Sequence, residues 1–174
     1  MYPKISPKEF ENGGKYFMLH EKVIEDIESE IKRIEKLIEN YAPLLKKVKT
    51  EKPDFIELGS LAMLLHSFYN GLENVFTRIA KEIDGKMPKG EAWHSQLLEQ
   101  MTKPTGKRTQ ATLSNDAYKD LEEYLGFRHF SRHAYAFDLE WQLMQDLVKR
   151  IEDVKKRALD EIKSFISQIK ERNE

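Results

Sequence analysis

The stretch LGSLAMLLHSFYNGLENVFTRIAKEIDG, residues 58–85, decides the fold class of this chain. Its large apolar residues recur three or four positions apart, which is the spacing that gives an α-helix one continuous apolar side. The run ends at Gly85, and glycine often ends a helix because it adopts left-handed backbone angles at little cost. The stretch therefore predicts one long amphipathic helix.

Three further segments with the same periodicity surround this helix. One covers residues 21–49 and is stopped by Pro53, and another covers residues 137–172. The third begins near Ser114 or Asn115, either of which can cap a helix. Strand-like alternation is absent from the sequence, so we expect an all-α fold, an antiparallel bundle of four main helices.

The segment from residue 85 to 113, called the connection below, separates the second and third main helices. Its glycines and prolines interrupt helical periodicity, so we expect an irregular path. Within it, EAWHSQLLEQM predicts a short helix that packs Trp93, Leu97 and Leu98 onto the bundle. We expect one domain over residues 1–174, with residues 1–16 as a loosely ordered extension.

Composition limits the classes of function. The chain has no cysteine, which excludes disulfides and thiolate metal sites and favours a reducing, cytoplasmic location. We expect no signal peptide at the N-terminus and no membrane span, because the longest strongly apolar run is only LAMLL at 61–65. A formal net charge of −1 does not indicate a globally basic nucleic-acid binder, so a polyanion site would be a local patch.

Such a patch occurs in FRHFSRHAYAF, residues 127–137. The plainest interpretation is a charged helix end, where cations stabilise the helix dipole. His129 and His133 are four positions apart and would share a helix face, as in some zinc sites, although no cysteine is available and no Glu follows in the His-Glu-x-x-His manner. Glu91 and His94 have the Glu-x-x-His spacing of di-metal bundles, but the second copy that such sites need is missing.

A sharper hypothesis is phosphodiester cleavage without a metal. Attack by the 2′-hydroxyl of RNA needs a base, an acid and cations around the phosphorus. Histidine suits both proton transfers because its pKa lies near neutral pH, and arginine suits the charge because its planar fork pairs two phosphate oxygens. A histidine cannot easily be base and acid in the same step, and a two-fold dimer would supply the second copy.

The motif also resembles a known family. Arg128, His133 and Tyr135 form R-x4-H-x-Y, which resembles the signature of HEPN ribonucleases, in particular the HepT-type toxins of HEPN/MNT toxin–antitoxin modules. GLENVFTRIA, residues 71–80, is similar to the second helix of that group, and the helical layout agrees over most of the chain. A non-catalytic HEPN-like binding module is the alternative.

The resemblance implies a HEPN bundle that dimerises around the motif. Arg128 and His133 of both subunits would form a metal-independent site, without a cofactor, that cleaves tRNA or mRNA. The partner would be an MNT-type nucleotidyltransferase antitoxin that transfers AMP from ATP to Tyr135. A phosphate ester at Tyr135 would add negative charge where the substrate phosphate should bind.

Other residues near the motif have less definite roles. His129 stands where HepT sequences usually carry a small polar residue, so it is an auxiliary candidate together with Ser131 and Arg132. Within the basic part of the connection, we expect Lys103, Lys107 and Arg108 to guide RNA toward the site, and a solvated loop is the alternative for this segment.

Overall fold

Helices dominate the described part of the chain. The computed structural model describes the backbone of residues 7–173 and the side chains of residues 21–171. Its five α-helices are α1 (Pro7–Lys47), α2 (Phe55–Arg78), α3 (Trp93–Gln100), α4 (Asn115–Ser131) and α5 (Trp141–Asn173). The predicted all-α class is confirmed, with four long helices and the short helix α3 inside the connection.

Ion pairs and hydrogen bonds between neighbouring helices fix their directions. In each neighbouring pair, the residue that comes earlier on one helix contacts the residue that comes later on the other, so the long helices alternate in direction. These contacts join Lys47 to Glu57 and Arg78 to Asp26 between α1 and α2, Lys163 to Glu35 and Lys170 to Glu28 between α1 and α5, and Arg150 to Glu123 and Ser114 to Glu161 between α4 and α5.

The helix α2 lies at the centre of the bundle, in contact with α1, α3, α4 and α5. Its apolar residues are buried on several sides, a wider burial than the one apolar side predicted from the sequence. No helix within residues 7–173 is both long and apolar enough to cross a membrane. The largest fully buried side chains include Ile27, Ile34, Leu61, Leu65, Phe68, Tyr69, Leu72, Phe76, Leu97 and Tyr124.

Both ends of α2 follow from local sequence. The Asp54 side chain accepts a hydrogen bond from the Glu57 backbone N–H, and the Glu57 side chain accepts one from the Asp54 backbone N–H, which together cap the first turn. At the other end the helix widens into a π-helical turn, Ile79–Asp84, and stops at Gly85 with a φ of 65°. The predicted stop at Gly85 is confirmed.

A buried ion pair attaches the connection to the end of α2. The Arg108 guanidinium donates from Nε and Nη2 to the two carboxylate oxygens of Asp84, at 2.8 and 3.1 Å. Gly106 stands in the turn before it, at a φ of 59°, where a Cβ atom would lie 2.0 Å from the backbone oxygen of Asp84. Only glycine therefore lets this turn approach α2 so closely.

Two predicted boundaries were wrong. The first helix begins at Pro7 rather than at residue 21, and the last begins at Trp141 rather than at residue 137. Phe137 instead lies in a short 3-10 turn, because the side chain of Asp138 accepts the backbone N–H of Tyr135 and closes a local loop. The single domain stays a prediction, as does the loose extension at 1–16, of which residues 1–6 lie outside the described residues.

Candidate functional site

The two halves of the Arg-x4-His motif lie in different environments. Arg128 occupies the last turn of α4 and is 9% exposed. After Ser131 the chain leaves the helix, because the backbone N–H groups of His133 and Ala134 both bond to the carbonyl of Phe130. His133 therefore lies in an exposed turn. Within one chain, no described hydrogen bond or ion pair joins the Arg128 and His133 side chains.

Side chains of α2 hold the Arg128 guanidinium. Its Nε donates to Oδ1 of Asn70 at 2.6 Å, and its Nη2 donates to Oε1 of Glu73 at 3.1 Å. Asn70 and Glu73 are three positions apart, so they lie on the same side of α2, facing α4. These two bonds restrict the rotation of Arg128 and leave its other N–H groups without a carbonyl or carboxylate partner among residues 21–171.

A histidine of the connection completes this cluster. His94, in the first turn of α3, approaches Oε2 of Glu73 with its Nδ1 at 2.6 Å. Its ring packs against Trp93, with ring centroids 3.6 Å apart, and faces the edge of His129 at 5.5 Å. Glu73 thus contacts a cation on one oxygen and an imidazole on the other.

Two more imidazoles lie near the arginines, and the pKa of each is lowered. His66 accepts a hydrogen bond from Nδ2 of Asn70 through Nε2 at 2.7 Å, and its pKa is lowered by burial first and then by Arg128 and Arg132. Burial likewise lowers the pKa of His129, with smaller contributions from His94 and Arg128. A neutral imidazole can accept a proton at neutral pH, which a general base requires.

The turn after α4 presents the remaining motif residues to solvent. Arg132 and His133 are exposed, whereas Ser131 is half-buried and donates from its hydroxyl to the Arg128 carbonyl at 3.3 Å. Tyr135 is 70% exposed, and its ring stacks in parallel on that of Phe137, with centroids 5.2 Å apart. The Tyr135 ring is thus largely exposed to solvent.

The described residues contain no cluster of side chains suited to bind a metal ion. Within the described residues, no group of three or more His, Cys, Asp or Glu side chains is arranged to hold a metal ion. Of the Glu91 and His94 pair, His94 binds Glu73 instead. His129 approaches the ring of His94.

A family model described as a HepT-like protein matches residues 60–169, well over half of the chain. The chain belongs to the HepT-like family. The matched range contains the Asn70–Glu73 pair, α3 and the whole Arg-x4-His-x-Tyr motif. The resemblance expected from the sequence is therefore confirmed at the level of family. No curated protein and no solved structure matches the chain significantly.

In this HepT-like protein the predicted RNA contacts divide into two groups. Lys103 and Lys107 are exposed on the connection, and Lys103 pairs with Glu99 at 2.5 Å. Arg108 is buried, and its guanidinium donates hydrogen bonds to Asp84 and to the backbone carbonyls of Gln100 and Gln110. Its predicted RNA contact is wrong, because a guanidinium enclosed in this way cannot reach a phosphate.

Sequence reasoning gave no role to Asn70 and Glu73 in this HepT-like protein. A signal for Glu73 was present, since it lies four positions after Tyr69 and three before Phe76 and so shares a side of the helix with large apolar residues. A carboxylate on such a side needs a cationic partner. The choice of Arg128 as that partner depends on how α2 and α4 pack, which no local pattern shows. His94 was singled out, but for a metal spacing that the fold does not use.

Proposed function

We propose that this HepT-like protein is a metal-independent endoribonuclease toxin that acts on tRNA or mRNA in the cytoplasm. The observation that supports this most directly is the state of Arg128. Two bonds to α2 orient its guanidinium, while Nη1 has no carboxylate or carbonyl partner among the described residues. A fixed guanidinium with unused donors is suited to binding a phosphate.

In the proposed reaction, His133 of one subunit takes the proton of the RNA 2′-hydroxyl. The 2′-oxygen forms a bond to phosphorus, the bond from phosphorus to the 5′-oxygen breaks, and His133 of the partner subunit gives a proton to that 5′-oxygen. The products are a 2′,3′-cyclic phosphate and a free 5′-hydroxyl. Arg128 of each subunit stabilises the charge on the phosphorane oxygens, the largest electrostatic contribution to such a reaction.

The surface beside the motif supports a dimer. Three large apolar side chains that lie no more than ten positions from His133 in the sequence, Phe130, Phe137 and Leu143, are exposed. Large apolar side chains exposed near each other along the chain are suited to a contact with a partner. In a two-fold dimer built on this patch, both copies of the motif would line one cleft.

Neutralisation would use the exposed tyrosine. In this proposal, an MNT-type antitoxin transfers AMP from ATP to the hydroxyl of Tyr135, and pyrophosphate leaves. The added phosphodiester stands two residues from His133 and repels the substrate phosphate. Lys103 and Lys107 on the connection guide RNA toward the cleft by charge alone, so their effect should weaken as salt increases.

The test compares two histidines of the motif region. We expect His133→Ala to lose about 100-fold or more of the cleavage of total RNA in the presence of EDTA, as removal of a general acid or base does. Its melting temperature and dimer should be unchanged, because His133 is exposed. His129→Ala is the matched control and should lose less. Full cleavage by His133→Ala would remove the catalytic assignment.

The modification has its own test. Incubation with ATP and the antitoxin should add the mass of an AMP group to a peptide that contains Tyr135, and cleavage should stop. Tyr135→Phe should stay unmodified under the same conditions, although its ring still stacks on Phe137. Addition to other residues only, or no addition, would reject this part of the proposal and leave the nuclease assignment standing.

A further inference from the structure

The Glu73 carboxylate divides its two oxygens between two donors from different elements. Oε1 accepts from Nη2 of Arg128 at 3.1 Å, and Oε2 lies 2.6 Å from Nδ1 of His94. Arg128 comes from α4 and His94 from α3, so α2 holds both through one side chain. All three residues are buried.

The proton of His94 can be placed from these contacts. A carboxylate oxygen only accepts, so Nδ1 of His94 carries hydrogen and donates to Glu73. Nη1 of Arg128 lies 3.4 Å from the same Nδ1. Both nitrogens are then donors, so this approach is a contact between two groups that share one carboxylate rather than a bond between them.

A carboxylate next to an arginine commonly binds it through two parallel hydrogen bonds. The Asp84–Arg108 pair of this protein has that geometry, with one bond to each carboxylate oxygen. Glu73 and Arg128 make only one bond, and the oxygen that would make the second is the one occupied by His94. The comparison within one molecule indicates what His94 changes.

We infer that His94 is a positioning residue, which keeps the second oxygen of Glu73 off Arg128 and so leaves the Arg128 donors that Asn70 and Glu73 do not use for a phosphate. This inference rests on the proposed nuclease function for its biological meaning, but its physical content concerns phosphate binding at Arg128. Without the His94 donor, Oε2 of Glu73 turns to Arg128, and the guanidinium is held by both oxygens and drawn away from the substrate.

The surroundings of His94 suit this role. Its ring is fixed by packing on Trp93, and the charged or titratable groups facing it are Glu73 from α2 and Arg128 and His129 from α4. Because its donated proton is required, and not a change of charge, a neutral side chain with a donor in the same place should replace it.

Two amide variants separate this role from simple packing. The amide nitrogen of His94→Asn stands near the position of Nδ1 and can donate to Glu73, whereas that of His94→Gln lies one methylene further along the side chain. Side-chain NMR of ¹⁵N-labelled arginine, during titration with inorganic phosphate, reports binding at Arg128. RNA cleavage by the same variants gives kcat and KM, and melting temperatures report folding.

We expect His94→Asn to retain the phosphate-induced shift of the Arg128 signals and a kcat close to that of the wild type. His94→Gln should lose most of the shift and about 100-fold in kcat, as expected for a misplaced catalytic group, with a smaller change in KM. A purely structural role would change the two variants alike, in step with their melting temperatures.

The results also distinguish this inference from the proposed function. If the wild type binds phosphate at Arg128 and only His94→Gln loses it, the positioning role stands even when no RNA is cleaved. If the two variants behave alike, or if phosphate does not perturb Arg128 in the wild type, the inference is overturned whether or not RNA is cleaved.

Discussion

Two buried arginine–carboxylate pairs lie among the described side chains, residues 21–171, and they differ in how many N–H groups of the arginine have a partner. In the Asp84–Arg108 pair the side chains are 0% and 1% exposed, and Arg108 makes four hydrogen bonds, two of them to backbone carbonyls. In the Glu73–Arg128 pair the side chains are 9% and 10% exposed, and Arg128 makes one bond to the carboxylate and one to Asn70.

The comparison separates a structural arginine from an available one. Arg108 has carbonyl or carboxylate partners at all three of its guanidinium nitrogens, so it can hold the connection but cannot bind anything else. Arg128 is oriented by α2 and shares its carboxylate with His94, so its Nη1 has no carboxylate or carbonyl partner among the described residues. By burial alone, both arginines would be assigned to the core. They differ in how many of their N–H groups have a carbonyl or carboxylate partner.

The largest expected effect is on folding, at the closed pair. Arg108→Met leaves the buried Asp84 without its cation, with only the Gln100 amide still donating to it at 2.7 Å, and such a change costs about 3–5 kcal/mol of unfolding free energy. Urea denaturation measures the loss. The double variant Asp84→Leu with Arg108→Met should regain much of it, because no unpaired charge remains. A double variant as unstable as the single one would show that packing, and not charge, dominates here.

The open pair should show a smaller loss of stability and a larger loss of activity. In Arg128→Met, Glu73 keeps the His94 donor and lies closer to solvent, so we expect a cost of about 1–3 kcal/mol. RNA cleavage should be abolished, as measured with total RNA in EDTA. If urea denaturation gave the same loss as for Arg108→Met, the distinction between the two arginines would fail.

The smallest expected effect is on the pH dependence of stability. His66 has a pKa below its ordinary value of 6.5 in the folded protein. Below about pH 6.5 the unfolded chain therefore binds more protons than the folded one, and stability is lost as pH falls through the folded pKa. His66→Gln should weaken the fall in melting temperature between neutral pH and about pH 5. An unchanged slope would contradict the lowered pKa.

Local patterns in the sequence predict the helices well. Ser114 and Asn115 were both predicted as possible caps, and it is the Ser114 hydroxyl that accepts the backbone N–H of Ala117, while Gly85 ends α2 as expected. The predicted start of α5 was too early, because the Asp138 side chain accepts a hydrogen bond from the backbone N–H of Tyr135. This bond competes with the helix, and hydrophobic periodicity does not predict it. Patterns of period 3.6 describe which side of a helix is buried, but not such local loops.

Only part of the candidate site could be predicted from the sequence. Arg128 and His133 were identified by spacing, but Glu73 and His94 lie 55 and 34 positions before Arg128 and reach it only through packing. The same limit applies to Arg108, whose positive charge suggested a surface role. A charged residue in a sequence shows that a partner or water is needed, and the fold alone decides which one it has.

The attachment of the connection has a consequence for how the protein opens. His94 contacts Glu73 and belongs to the connection, which is held to α2 by the ion pair between Arg108 and Asp84. Gly106 lies close to the backbone of Asp84. If the ion pair between Arg108 and Asp84 opened locally, α3 would separate from the bundle while the four long helices remain folded. In one sub-global opening, the amide protons of the connection would then exchange with solvent and Glu73 would lose its hydrogen bond from His94. The free energy of this opening lies below that of complete unfolding.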